Sequence, residues 1–441
     1  MVNAYSPTPI DGYSTPTSTL QASTENIIRS HIRPEGGAQP ELQKRYHFEF
    51  LLRNLRQGFP ERYVSQDASQ PWLIYWTLHC FSILGAGLDD QTKKRGIYCL
   101  LAVATLLNLL TPELLAGVPD FLATCQTYEG GFGNASFPGW AFEADDPESE
   151  TGPAKTYDPS APRPPLGEAH GGYTFCATAS WVLLRSFIDL YYAPAIQSSA
   201  VSLPQKPHID TRALLRWCTQ MQGLPIELGG FKGRTNKLVD GCYSWWVGGC
   251  FVLVEALLGV GAHSEPSTEE NAGEEEGQKS WDDIDDSLFD RKALQEYILL
   301  AGQHPAGGLR DKPPKPADAY HTLYCSAGLS AAQHRVIPSE PRRKAVISAW
   351  DAAQARARDG TGFRATSEAE REKLDALRRQ TCAHVLSWAE EEGTELYVGG
   401  ATNRVNATHP LFNLTTTHSD TMMAYFYGQT FPSRHFTPAK K

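Results

Sequence analysis

Apolar positions along this chain fall into two alternating kinds of helical stretch. The stretches 112–125, 210–222 and 289–303 carry apolar residues three and four apart with polar residues between, which predicts amphipathic helices. The stretches 172–191, 241–260 and 319–333 are apolar almost all round, which predicts buried helices. A recurring signal joins the two kinds: a Gln closes the amphipathic stretch, a Gly-Gly pair follows, and a short loop leads into the apolar one. The three instances are Gln126 with Gly130-Gly131, Gln222 with Gly229-Gly230, and Gln303 with Gly307-Gly308. Gly-Gly ends the first helix and allows the positive φ of a turn. Amphipathic and buried helices alternating in tandem predict an all-α fold of two concentric layers, an α/α toroid of helical hairpins.

The buried helices can be put in register. Gly230 to Tyr243 and Gly308 to His321 are both steps of 13 positions. The same step from Gly131 to Tyr173 is longer, and the excess falls in 134–165, which is rich in Pro, Gly and acid and reads as a loop insertion. A second insertion is expected at 262–288 and a third at 335–395, the last highly charged and expected as one long helix plus a linker. The toroid is expected over 41–430, between a disordered tail at 1–40 and a C-terminal tail at 431–441. In register, the inner helices give the pairs Arg95/Tyr98, Tyr173/Cys176, Tyr243/Trp246 and His321/Tyr324. Each pair is spaced i,i+3, so both members share a helix face, and each falls in a first turn. Four helix N-termini would then converge on one cavity, a setting that favours an anion.

Composition narrows the class. The chain has 441 residues and 41% apolar content, enough for a sizeable core. No apolar run reaches membrane-spanning length, and the N-terminus lacks the charged and apolar regions of a secretory signal. Nine cysteines without paired spacing fit a reduced, cytoplasmic setting. The sequons at Asn134, Asn406 and Asn413 carry no meaning there. The net charge of −10 is local, since 262–288 alone holds ten Asp/Glu and one Lys. That stretch reads as a solvated insert, and no basic field points to nucleic acid.

The chemistry concentrates in two places. Asp240 and Cys242, with His321 later in the chain, form an O/S/N ligand set for zinc, and three protein ligands leave one position open, as in catalytic sites. Arg234 and Lys237 lie just upstream, so two cations flank the candidate metal. An anion at the rim and an aromatic-walled pocket below it describe a long apolar chain with a diphosphate head.

These residues resemble the β subunits of protein farnesyltransferases, within the protein prenyltransferase family. The resemblance rests on Asp67-Ala-Ser-Gln-Pro-Trp72 through Trp76, Glu168-Ala-His170-Gly-Gly-Tyr173, Lys232 through Trp246, Gly307 through His321, and Thr408-His-Pro-Leu-Phe-Asn413. It covers most of 45–334 and a stretch near 408–430. It implies that Asp240, Cys242 and His321 bind Zn2+, and that His170, Arg234, Lys237 and Tyr243 hold the diphosphate. It implies an isoprenoid pocket lined by Arg95, Tyr98, Tyr173, Cys176, Trp246 and Tyr324, and a peptide site shaped by Trp72, Trp76 and Tyr320. Asp311 is implied as the carboxylate that assists through Mg2+, with Lys315 as a neighbouring cation. The implied activity is transfer of farnesyl from farnesyl diphosphate to the cysteine of Cys-a-a-X protein tails, such as those of small GTPases, by an obligate heterodimer with an α subunit.

Two alternatives stay open: a type I geranylgeranyltransferase β subunit, and a non-catalytic form that only binds the α subunit. Trp72, Tyr324 and Asp311 favour the farnesyl reading, the first two as a bulky pocket floor. In one respect the chain departs from the family. Roughly two repeats, on the order of a hundred residues, are missing between the helix of Trp72 and Trp76 and that of Arg95. The chain passes from one to the other through 84–94, which predicts an open or altered barrel, from an incomplete gene model or a spliced isoform.

Overall fold

In this computed structural model, residues 6–9, 12–32, 37, 39–57, 76–77, 79–81, 83–84, 100–133, 166–192, 206–259, 288–356 and 368–428 are described. The expected insertion 134–165, residues 262–287 of the second insertion, and residues 85–94 of the junction fall outside them.

The architecture follows from one repeated contact. In the first repeat, Gln126 Nε2 donates to the carbonyls of Gly130 and Asp210, and Gln126 Oε1 accepts the Asp210 N–H at 2.7 Å. Asp210 in turn caps helix Thr211–Gln220, accepting the Ala213 N–H at 2.8 Å. The second repeat does the same: Gln222 bonds Gly229 and both backbone groups of Asp290, which caps helix Arg291–Glu296. A glutamine amide thus stands in for a peptide group and ties each repeat to the start of the next outer helix.

The Gly-Gly pair makes room for that neighbour. A Cβ on Gly130 would lie 2.2 Å from the Ala213 carbonyl oxygen, and one on Gly131 2.7 Å from the Trp217 ring. A Cβ on Gly229 would meet Ala293 at 2.5 Å, and one on Gly230 the Tyr297 ring at 2.7 Å. The first glycine therefore faces a helix backbone or methyl, and the second lies under the aromatic ring four residues further on. The pairs serve close approach as well as the turns expected from φ.

The elements in order are α1 (Pro16–His31), α2 (Lys44–Gln57), α3 (Leu100–Leu106), α4 (Pro112–Leu115), α5 (Val118–Thr124), α6 (Gly171–Leu183), α7 (Arg185–Tyr191), α8 (Thr211–Gln220), α9 (Tyr243–Trp246), α10 (Cys250–Leu258) and α11 (Arg291–Glu296). After a π-helical turn (Tyr297–Gly302) come α12 (Ala319–Gln333), β1 (Val336–Pro338), α13 (Glu340–Arg356), α14 (Glu368–Leu386), β2 (Trp388–Glu390) and α15 (Thr416–Tyr427). Inner helices α6, α9–α10 and α12 pack side by side, with α5, α8 and α11 outside them. The expected helix 241–260 breaks at Gly248-Gly249, where a Cβ on Gly248 would stand 2.2 Å from the Ser244 carbonyl.

The third staple closes the circle. Gln303 donates to Glu41 O at 2.8 Å and accepts from Gln43 N–H at 2.7 Å, just ahead of α2, and Gly307 lies against the Tyr46 backbone. Past the 84–94 junction, α15 lies against α3, and Tyr427 Oη donates to Thr105 O at 3.0 Å. Cys80 packs on Thr322 of α12, and Ile83 O accepts from Asn406 N. The described inner helices and α15 thus make contacts on both sides of the junction, where an open barrel was expected.

Two other expectations need correction. Within 1–40, expected as a disordered tail, residues 16–31 form α1, which is capped by Thr15 and Ser18 and buries Thr24, Glu25 and Ile28. Its Ser/Thr-rich sequence supplies the helix cap, so polar composition concealed a packed helix. The 335–395 segment is a hairpin of two helices, α13 and α14, bracketed by the antiparallel pair β1–β2. Val346, Trp350, Leu377, Cys382 and Val385 are buried, and buried Arg342 bonds Leu386 O and Asp420. A narrow apolar seam within a highly charged stretch carries the packing.

Replacing Gln222 by Leu removes the Gln222 acceptor from the Asp290 N–H and one of the two donors from the Asp290 carbonyl, which keeps the Leu294 N–H. The expected loss is about 1–3 kcal/mol, read as a lower urea midpoint with an unchanged slope.

Candidate active site

The metal-ligand candidates reach one point from two loops. Asp240 follows a short β-bridge between Lys232 and Val239, and Cys242 starts the turn into α9. His321 sits in the first turn of α12, whose cap Asp318 accepts the His321 N–H at 2.8 Å. The two loops are joined by the Gly241 N–H donating to Asp311 O at 2.7 Å. One ligand atom from each of Asp240, Cys242 and His321 lies within 4.8 Å of the others, and among the described residues this is the one such group. Tetrahedral ligands at zinc distances stand about 3.5 Å apart, so the donor set and its spacing fit that ion.

The electrostatics point the same way. Burial opposes charge on His321, yet bonds to Asp240 (3.2 Å), Asp318 (2.7 Å) and Cys242 push it up to about 12. Burial also opposes charge on Asp240, but His321 holds that carboxyl well below its usual range. Burial and the Asp240 charge push the Cys242 thiol up. A carboxylate, an imidazole and a thiol turned toward one point offer a cation three donor atoms. Asp318 was missed in sequence; the signal was an aspartate three residues ahead of His321, able to cap the helix and orient the imidazole together.

A second cluster lies beside the first. His170 caps α6, and its Nδ1 accepts the Gly172 N–H at 3.0 Å. Burial and then the Arg234 charge lower its pKa, so the neutral ring carries its proton on Nε2 and donates to Tyr243 Oη at 3.1 Å. The Tyr243 proton is then left for a ligand. Gly233 fixes that ring, since a Cβ there would lie 1.8 Å from Tyr243 Cζ. Arg234 pairs with Glu168 at 2.5 Å, and Lys237 is exposed on the same loop. Asp311 contacts Lys312, and burial, then Asp240, raise its pKa. Lys315 is exposed further along that loop.

Below the ligands runs an aromatic wall. Trp246 and Tyr324 are 4.4 Å apart between centroids, Tyr320 and Tyr324 4.7 Å, and Trp76 stands edge-on to Tyr320 at 5.0 Å. Trp246 Nε1 donates to Tyr320 Oη at 2.9 Å. Cys176 is half-buried and Tyr173 is 47% exposed near His170. Trp245 is buried against Phe175 and packs behind the wall. Trp72, Arg95 and Tyr98 lie outside the described residues.

Asp318→Asn should keep the cap on α12 but weaken the orientation of His321. Metal affinity should fall about 10- to 100-fold, measured by competition with a chromogenic chelator.

The profile of the prenyltransferase α/α toroid domain matches residues 42–96 and 88–414. Protein farnesyltransferase subunit beta of Arabidopsis thaliana is 27% identical over 413 aligned positions, covering 68% of this chain and 75% of the relative. The protein of the same name from Pisum sativum is 33% identical over 283 positions, covering 56% and 55%. Geranylgeranyl transferase type-1 subunit beta of Arabidopsis thaliana is 27% identical over 243 positions, covering 55% and 46%. The two profile segments meet at 88–96, where about two repeats are expected to be missing. With its repeats of paired helices, its two layers and this match over most of its length, the chain belongs to the prenyltransferase α/α toroid family.

Proposed function

We propose that the chain is the β subunit of a heterodimeric, zinc-dependent protein farnesyltransferase acting on Cys-a-a-X tails. The observation that carries this reading is the convergence of Asp240, Cys242 and His321 beside His170 and Tyr243, above an aromatic wall. The names of the relatives supply the β-subunit assignment and hence the α-subunit partner.

Asp240, Cys242 and His321 would hold Zn2+, which when bound supplies the positive centre that keeps a substrate thiol as thiolate near neutral pH. Asp318 orients His321 for that task. The substrate sulfur forms a bond to C1 of the farnesyl group, the C1–O bond breaks, and diphosphate leaves with the electron pair. The Tyr243 hydroxyl, set by neutral His170, donates to the departing oxygens. Arg234 and Lys237 offset the growing charge. Arg234 must give up or share Glu168 to do so; that pair is half-exposed and costs little to loosen. Asp311, raised in pKa beside Asp240 and placed on the loop of Lys315, is the carboxylate proposed to recruit Mg2+ to the diphosphate. Trp76 and Tyr320 border the peptide side, and Tyr173, Cys176, Trp246 and Tyr324 the isoprenoid side.

Farnesyl is favoured over geranylgeranyl because Trp246 and Tyr324, 9% and 2% exposed, narrow the base of the wall with two mutually tilted rings 4.4 Å apart. The test is co-expression with a cognate α subunit, a Cys-a-a-X peptide, and either diphosphate. Farnesyl transfer that stops on zinc chelation and returns on zinc addition is expected, and Tyr324→Thr should shift preference toward the longer chain. A soluble heterodimer that binds farnesyl diphosphate but transfers nothing would favour a binding-only role.

A further inference from the structure

Helix α1 touches both loops that carry the candidate ligands, and nothing in the mechanism uses it. Gln21 Nε2 donates to Glu25 Oε1 at 2.8 Å and to Glu227 Oε1 at 2.7 Å. Glu25 and Glu227 are 3% and 0% exposed. The other Glu227 oxygen accepts the Leu224 N–H at 3.0 Å and faces Lys232 Nζ at 3.3 Å. Lys232 pairs across the β-bridge with Val239, and the Asp240 N–H donates to Phe231 O. From α1, contact therefore runs through Glu227 and Lys232 to the backbone that sets Asp240.

The far end of α1 meets the other loop. His31 Nε2 lies 3.5 Å from the Arg310 guanidinium, which is 6% exposed and donates to Ala301 O. The Arg310 carbonyl faces Cys325 Sγ, and the next carbonyl, of Asp311, accepts from both Gly241 N–H and Tyr297 Oη. Ile28, fully buried, anchors the helix between these two ends. Glu25 also accepts from the Thr8 N–H at 3.2 Å and from the Thr8 hydroxyl, so the Gln21 amide joins two buried carboxylates that each hold further partners, as buried carboxylates must.

We propose that α1 is a brace that positions the two ligand-bearing loops, with Gln21 as its positioning residue through Glu227 and Lys232. The consequence for metal affinity rests on reading Asp240, Cys242 and His321 as ligands; the effect on loop order does not. The chain is tested whole, as Gln21→Leu and separately as Ile28→Ala, with two readouts. One is hydrogen exchange in 223–241 and 302–318. The other is Co2+ affinity, followed by thiolate-to-cobalt absorption. Both variants should speed exchange in those two segments while α13 and α14 stay unchanged, and should weaken Co2+ binding by about ten-fold. Unchanged exchange in both segments, or a uniform rise across the chain, would overturn the brace. If the unsubstituted chain shows no thiolate–cobalt band, the ligand reading fails, and exchange alone still decides the brace.

Discussion

A glutamine side chain that replaces a peptide group holds this ring together. Gln126, Gln222 and Gln303 each end an outer helix and bond the backbone where the next outer helix begins. Because the amide offers both a donor and an acceptor, in the first two staples it satisfies the N–H of the capping aspartate and adds a second bond to its carbonyl, which also accepts the first intrahelical N–H. Each Gly-Gly pair then lets the following helix approach closely enough for the bond to form. The angle between repeats is set by these contacts, and with it the convergence of the inner helices.

The site depends on that convergence. The loop after Gly229-Gly230 carries Arg234, Lys237, Asp240 and Cys242, and the loop after Gly307-Gly308 carries Asp311, Lys315 and His321. A ligand set drawn from two neighbouring repeats closes only if the repeats keep their register, which the Gln222 staple and the Gly241–Asp311 bond together enforce. Placing thiol, imidazole and carboxylate together offers a cation three donors, and without one the Asp240 carboxylate is offset by His321 and Lys312. Neutral His170 beside Tyr243 gives the adjacent anion cradle a donor without adding a titrating charge.

Much of this was legible in the sequence. The period of the buried helices gave the two layers, and 319–333 matches α12 residue for residue. The 13-residue step from Gly-Gly to Tyr243 and His321 anticipated that both would lie at helix starts in one place. What escaped had physical reasons. The α1 brace is polar and short of apolar residues, and its burial comes from one Ile and a carboxylate network that no periodicity reveals. The α13–α14 hairpin hides a narrow seam under charge. Glu168 and Gly233 act only through a partner fixed in space, so spacing along the chain could not assign them. The role of glutamine was visible as a repeat but not as a bond, since its partner lies up to hundreds of residues away.

The central claim is that Asp240, Cys242 and His321 bind one zinc ion with room for a substrate thiol. Zinc K-edge absorption fine structure on the purified chain tests it most directly. The account predicts one sulfur at about 2.3 Å with nitrogen and oxygen neighbours near 2.0–2.1 Å, a second sulfur on adding a Cys-a-a-X peptide, and loss of the first in Cys242→Ser. A zinc shell without sulfur, or one unchanged by both the peptide and the substitution, would contradict it.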